Sequence, residues 1–426
     1  MAVGVIASFV FSLAVLPALM LLLPVRQRTG PGRSAPIMDA LADFVVEHRT
    51  KVLVGMAVLT VGLVSFVPRN QLNDEFVKYF DERVPFRVDT DYTTDHLTGL
   101  YSVAYSLGAG EVGGISEPAY LRKLDEFADW YRQQPEVKHV STLSDTMKRL
   151  NMNLHGDDPA WYRLPERRDL AAQYLLLYEM SLPYGLDLNN QINVNKSATK
   201  LDVSLNSLSS NQVIALERRA QQWLKENAPA SMQANGASPA VMFSHIGKRN
   251  IRSMLVGTTV ALVLISFVLI FALRSVRIGL ISLIPNLVPA GMAFGLWGLL
   301  VGQVGLALSI VTGMTLGIVV DDTVHFLSKY LRARREEGLS PQDAVRYAFH
   351  TVGTALWTTS AVLMAGFLVL VYSPFELNSG MGLLTAITIG FALMADFLLL
   401  PTLLMALDKG ESDEKTVLDN SSGSVA

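Results

Sequence analysis

The sequence predicts a polytopic α-helical membrane protein that carries one α+β domain outside the bilayer. Three observations lead there. Charged residues make up 17% of the 426, against roughly 25% in soluble domains, and mean hydropathy is +0.33. The hydrophobicity is gathered into seven runs, near 3–24, 52–68, 253–273, 278–300, 304–327, 352–373 and 381–406. Each is at or near the ~20 residues that a helix needs to cross hydrocarbon. Between the second and third runs, Arg69 to Asn250 is polar and cannot lie in lipid.

The first run is read as a spanning helix and not a signal peptide. It lacks a basic leader, and Leu16-Pro17-Ala18-Leu19-Met20 stays hydrophobic where a small-residue cleavage site would fall. Basic residues in short links set the orientation. Arg26, Arg28, Arg33, Arg49 and Lys51 follow the first helix, Arg274 and Arg277 the third, and Lys329, Arg332, Arg334, Arg335 and Arg346 the fifth. The other short links have no Lys or Arg. The expected topology is N-terminus outside, C-terminus cytoplasmic and 69–250 outside. Lys248, Arg249 and Arg252 then fall on the outer side, beside a long translocated segment where the rule is weak. The domains expected are 1–68, two helices with a basic cytoplasmic link; 69–250, external; 251–408, five membrane helices; and 409–426, a disordered cytoplasmic tail.

Within the external block, strands are expected at Tyr101–Leu107, Val137–Leu143, Thr199–Leu205 and Ala240–Ile246. The third shows the period-two alternation of a half-buried strand. Helices are expected from Ser116-Glu117-Pro118 to about Gln134, over Pro165–Leu182, and from a Ser210 cap over Asn211–Asn227. Strand–helix–strand order occurs twice around a central helix, which suggests a split β-α-β arrangement. No metal-spaced His/Asp cluster or nucleophile elbow is present, so neither an enzyme nor a cofactor is expected. The absence of cysteine removes disulfides, thiolate metal sites and cysteine nucleophiles. A net charge of −3 offers no general field for nucleic acid.

The informative residues are the polar ones inside the membrane runs. An Asp at a helix centre costs about 2.5–3.5 kcal/mol on insertion scales. The fifth helix holds Asp321, Asp322 and His325, with His325 four and three residues after the two carboxylates. Thr315 lies two turns before Asp322. The seventh helix holds Asp396, about 15 residues from its outer end, and Asp321 is about 16 from its own, so the two lie at similar depth. Asn286 follows Pro285 at an expected break in the fourth helix. Carboxylates close together in low dielectric share protons, which makes Asp321, Asp322, His325 and Asp396 candidates for a proton relay. The competing readings are that Asp322 and His325 face headgroups, and that Asp396 makes a helix–helix hydrogen bond to Thr or Asn. Thr358, Thr359 and Ser360 read as packing residues of the sixth helix.

Leu316-Gly317-Ile318-Val319-Val320-Asp321-Asp322-Thr323-Val324-His325-Phe326-Leu327 is followed by Gly353, Thr358-Thr359-Ser360, Gly366-Phe367, Ser373-Pro374-Phe375 and Gly380. With Asp74-Glu75-Phe76-Val77-Lys78-Tyr79-Phe80, Ile284-Pro285-Asn286 and Asp396-Phe397-Leu398-Leu399-Leu400-Pro401, this pattern resembles the resistance–nodulation–division (RND) superfamily in its MMPL-like exporter branch. The resemblance implies a C-terminal half, helices six to twelve with the second porter domain, and a helix group similar to sterol-sensing domains. It accounts for the Leu-Pro-x-Leu element shared by Leu16–Leu19 and Leu400–Leu403, and for a first helix that starts outside. It maps the relay carboxylate onto Asp321, with Asp322 where relatives often carry Tyr. It implies proton-driven export of lipids or other hydrophobic molecules across the inner membrane, with an N-terminal half or a homo- or hetero-oligomeric partner completing the relay. The alternative of the same fold is a non-transporting lipid or sterol sensor, or an accessory membrane protein.

Overall fold

A computed structural model describes residues 6–7, 9–22, 35–183 and 187–407. The basic residues Arg26, Arg28 and Arg33 and the tail 409–426 lie outside the described residues. Among those described, six helices are long and apolar enough to cross a membrane: Arg49–Arg69, Pro239–Leu273, Val276–Leu300, Leu306–Arg335, Pro341–Tyr372 and Glu376–Leu407. They correspond to six of the seven expected runs. The first run is described only as a shorter apolar helix, Phe11–Leu22.

In chain order, Phe11–Leu22 is α1, Ala35–Glu47 is α2 and Arg49–Val64 is α3, whose span continues to Arg69. A two-residue strand, β1 (Gln71–Leu72), leads into the α+β unit. There α4 (Pro85–His96), β2 (Tyr101–Gly108), α5 (Pro118–Arg132), β3 (Val137–Ser141), α6 (Leu143–Leu154), α7 (Arg168–Ser181), β4 (Ala198–Leu205) and α8 (Ser210–Asn227) follow. The membrane helices are α9 (Pro239–Leu273), α10 (Val276–Leu300), α11 (Leu306–Arg335), α12 (Pro341–Tyr372) and α13 (Glu376–Leu407). A second short strand, β5 (Gln303–Val304), joins α10 to α11.

The sheet order is β2-β4-β3, with β4 antiparallel to both neighbours. Strands β2 and β3 are therefore parallel, joined by α5 and parted by β4, which is a split β-α-β. Alternation in β4 puts Leu201, Val203 and Leu205 inward, against Leu121, Leu124 and Phe127 of α5. Two buried tyrosine contacts tie the core. Tyr105 and Tyr131 share a hydroxyl hydrogen bond of 2.7 Å, and Tyr120 donates to the Leu107 carbonyl at 2.8 Å. The fourth expected strand, Ala240–Ile246, is helix instead. Ser238 caps that helix by accepting from the Val241 N–H, and Pro239 occupies its first turn, a stronger local start signal than a short apolar run. One bridge, Ala104 to Ala237, is all that extends the sheet there among the described residues. The cap of α8 is Ser209, one residue before the expected Ser210, in a reciprocal capping box with Gln212.

One junction of the α+β unit with the membrane helices is built around Asp74. Strands β1 and β5 pair in parallel, Gln71 with Gln303 and Leu72 with Val304. Asp74 follows at once and is buried, 6% exposed. Its Oδ2 accepts from the Leu306 N–H at 3.3 Å. The N-cap residue of α11 is Gly305, which has no side chain to cap with, so Asp74 supplies the missing acceptor from 232 residues away. The Asp74 carbonyl accepts from the N–H and the hydroxyl of Ser210 at 2.9 and 3.1 Å. One residue thus holds the starts of α8 and α11 together. Burial holds its carboxyl above the ordinary range, opposed by the bond from Leu306.

Helix α10 breaks at Ser282, between Val276–Ile281 and Leu283–Leu300. The break precedes the expected one at Pro285-Asn286, because a proline is tolerated in the first turn of the second segment. Gly295 sits where a Cβ would come within 2.0 Å of the Leu63 carbonyl oxygen. Asn70 donates to the Phe294 carbonyl at 2.8 Å beside it. Small residues allow this close backbone approach of α3 to α10.

Three outcomes are expected. Asp74→Ala lowers stability by about 0.5–2 kcal/mol, the range for a lost cap, whereas Asp74→Asn keeps the acceptor. The wild-type junction is most stable at acid pH and loses stability as pH rises through the folded Asp74 pKa, and Asp74→Asn flattens that slope; thermal unfolding across pH reads both. Gly295→Val forces α3 from α10, read as a lower unfolding temperature in detergent than Gly62→Val, at a glycine with open space.

Candidate functional site

Helix α11 fans its polar residues onto three faces, because successive residues point about 100° apart. Asp321 and His325 share the outward face. Their side chains are 72% and 58% exposed, with His325 Nε2 3.6 Å from Asp321 Oδ1. Asp322 turns toward α12 and is half-buried, accepting from the Ser360 hydroxyl at 3.1 Å. Thr323 is fully buried toward α13 and donates to Asp396 Oδ1 at 2.8 Å.

Asp396 is the most enclosed of these acids, 1% exposed. It lies in a π-helical turn, Ala395–Leu399, which widens α13 by one residue; such turns recur at functional positions. Its second oxygen, Oδ2, has no hydrogen-bond partner among the described residues. A single hydroxyl cannot satisfy a buried carboxylate, which needs several donors, whereas a neutral carboxylic acid needs one donor and one acceptor. The number of partners and the charge of Asp396 are therefore tied together. Phe326 and Phe397, each within three residues of these polar groups, pack on Phe349 of α12 with ring centroids 5.4 Å away. Met38 and Val45 of α2 extend the same apolar cluster.

The four expected relay residues do not form one cluster. Asp321 and His325 stand together outside, and Asp322 and Asp396 each take a hydroxyl from a different helix. Thr358 and Thr359 are exposed and donate to their own helix at Thr354 and Ala355, so neither supports the acids. Ser360, grouped with them by composition, does. Thr315 donates to the Val311 carbonyl at 2.8 Å and lines a cavity of about 220 Å³ with Asn286, Thr312, Thr388 and Leu316. Asn286 is 2% exposed and both polar atoms of its amide lack partners among the described residues. The walls of this cavity are mostly apolar, and none of the acids lines it.

Thr323 and Ser360, the two donors, do not stand out in the sequence. Thr323 lies beside two acids and is overshadowed by them. Its face, 100° on from Asp322, is the available signal, and reading it requires the position of α13.

The chain is similar to the MMPL family over residues 191–415, more than half its length, from late in the α+β unit to beyond α13. Over 148 residues it is 30% identical to the protein named "Putative membrane protein MJ1562" of Methanocaldococcus jannaschii. That match covers 35% of this chain and spans 38% of the relative. The family match takes in the whole α10–α13 bundle that positions Asp322 and Asp396, and with six helices fit to span a bilayer among the described residues the chain is a multi-pass membrane protein belonging to the MMPL family.

Proposed function

We propose that the chain is a proton-coupled transport unit that moves lipids or other hydrophobic molecules across the membrane, with Asp396 and Asp322 as its proton-exchanging carboxyls. One observation carries the reading: Asp396, buried in a spanning helix, has one oxygen bound by Thr323 and the other unpartnered among the described residues. Gaining or losing a proton there changes how many donors Asp396 requires from α11. The packing of α11 on α13 then follows its charge, and two packings of one bundle are what a coupled transporter alternates between. Asp74 ties the start of α11 to the α+β unit, which gives a movement of α11 a mechanical route to that unit. In this reading the unit is the external, porter-like part that handles an amphipathic substrate, in the inner membrane with the C-terminus cytoplasmic.

Asp321 and His325 suggest a partner body. Leaving an Asp in lipid costs about 2.5–3.5 kcal/mol, yet these two are exposed on a membrane helix. A further set of helices, from an N-terminal half, a second copy or a separate subunit, would cover this face.

Two measurements test the proposal. In liposomes, efflux of a fluorescent lipid accelerated by a pH gradient falls at least tenfold in Asp396→Asn, while unfolding temperature changes little, because the amide oxygen still accepts from Thr323; an undiminished gradient response rules out coupling through Asp396. The chain has no cysteine, so Gly317→Cys, one turn before Asp321 with open space around it, places a single thiol on the exposed face. Crosslinking to a partner in native membranes is expected, and labelling by a lipid-soluble maleimide without any crosslink contradicts a covered face.

A further inference from the structure

Among the described residues, helix α9 carries a cluster of exposed cations that hold no carboxylate. Its 35 residues extend about 50 Å at the α-helical rise, well beyond a hydrocarbon core of about 30 Å. The apolar portion begins near Ser253. Immediately before it stand His245, Lys248, Arg249 and Arg252; the last three follow His245 by three, four and seven residues, which is one helical face. All four are exposed. Several exposed cations of the α+β unit hold carboxylates, among them Arg132 with Asp129 and Asp145, Arg168 with Glu111 and Glu117, and Lys196 with Glu179. Among the described residues, Lys248, Arg249 and Arg252 form no ion pair with any carboxylate.

The stripe continues into the membrane as exposed hydrocarbon. Val256, Val260, Val263, Phe267 and Phe271 follow Arg252 at steps of three or four residues and are 54–83% exposed. A cationic patch directly above an unpartnered apolar stripe matches one amphiphile, with an anionic head at the boundary and chains along the helix. Two arginines and a lysine within little more than one turn can converge on a single phosphate, the arginines in bidentate fashion.

We infer that Lys248, Arg249 and Arg252 form a headgroup site for an anionic phospholipid, whose acyl chains lie along Val256, Val260, Val263 and Phe267. Fixed charge and exposed hydrocarbon make the site, so it requires neither transport nor a titrating carboxyl. It also accounts for three cations that the charge rule for short loops does not place.

The test is native mass spectrometry of the intact chain, released from micelles carrying equal phosphatidylglycerol and phosphatidylcholine. At least tenfold preferential retention of phosphatidylglycerol is expected, weakening as salt is raised. Lys248→Gln/Arg249→Gln/Arg252→Gln loses that preference, and the charge-keeping Lys248→Arg/Arg249→Lys/Arg252→Lys retains most of it, which separates charge from folding. Excess inorganic phosphate does not displace the lipid. Equal retention of the two lipids, a preference that survives the triple Gln variant, or displacement by inorganic phosphate alone would overturn the assignment.

Discussion

A carboxyl buried in a membrane helix must find its partners on neighbouring helices, because lipid supplies none. The hydrogen bond from Thr323 to Asp396 is where that requirement is met in this protein. It holds α11 on α13, and the acid lies within the π turn Ala395–Leu399. Ser360 does the same for Asp322 on the other side of α11. Helix α11 is thereby fixed between α12 and α13 by two polar contacts, each involving an acid. Interhelical hydrogen bonds in membranes average only about 0.6 kcal/mol. Such weak contacts are suited to being remade, and the aromatic cluster of Phe326, Phe349 and Phe397 supplies the apolar packing beside them.

The other end of α11 is held differently. Its N-cap position is a glycine, and Asp74 reaches in from the start of the α+β unit to accept from Leu306. The same residue accepts from Ser210 at the start of α8. The short β1–β5 ladder fixes the register of this joint. A displacement of α11 would therefore reach the α+β unit through a few hydrogen bonds centred on Asp74, not through a flexible linker. The continuous helix α9 gives a second rigid connection between the two parts.

Legibility in the sequence differs by element. Six membrane helices are readable because a run of about twenty apolar residues is long enough to span hydrocarbon and too long for an ordinary core strand. The three strands of the split β-α-β are readable from alternation and length. The segment 240–246 reads as strand but folds as helix, because a seven-residue apolar run is ambiguous between the two and the Ser238-Pro239 start decides it. Asp321, Asp322, His325 and Asp396 stand out because acids are costly in lipid. Their partners do not, since Thr323 and Ser360 are ordinary residues whose role depends on which helix lies opposite. Asp74 as the cap of α11 is not readable at all, because its partner lies 232 residues away and no local pattern records such a contact.

The central claim is that Asp396 exchanges a proton in the folded protein. Infrared difference spectroscopy of the reconstituted chain, stepped in pH, measures this directly through the C=O stretch of protonated carboxyls. The account predicts a band that titrates reversibly, is absent in Asp396→Asn, and shifts in Thr323→Val because the carboxyl has lost its donor. A spectrum in which Asp396→Asn removes no titrating band would contradict it.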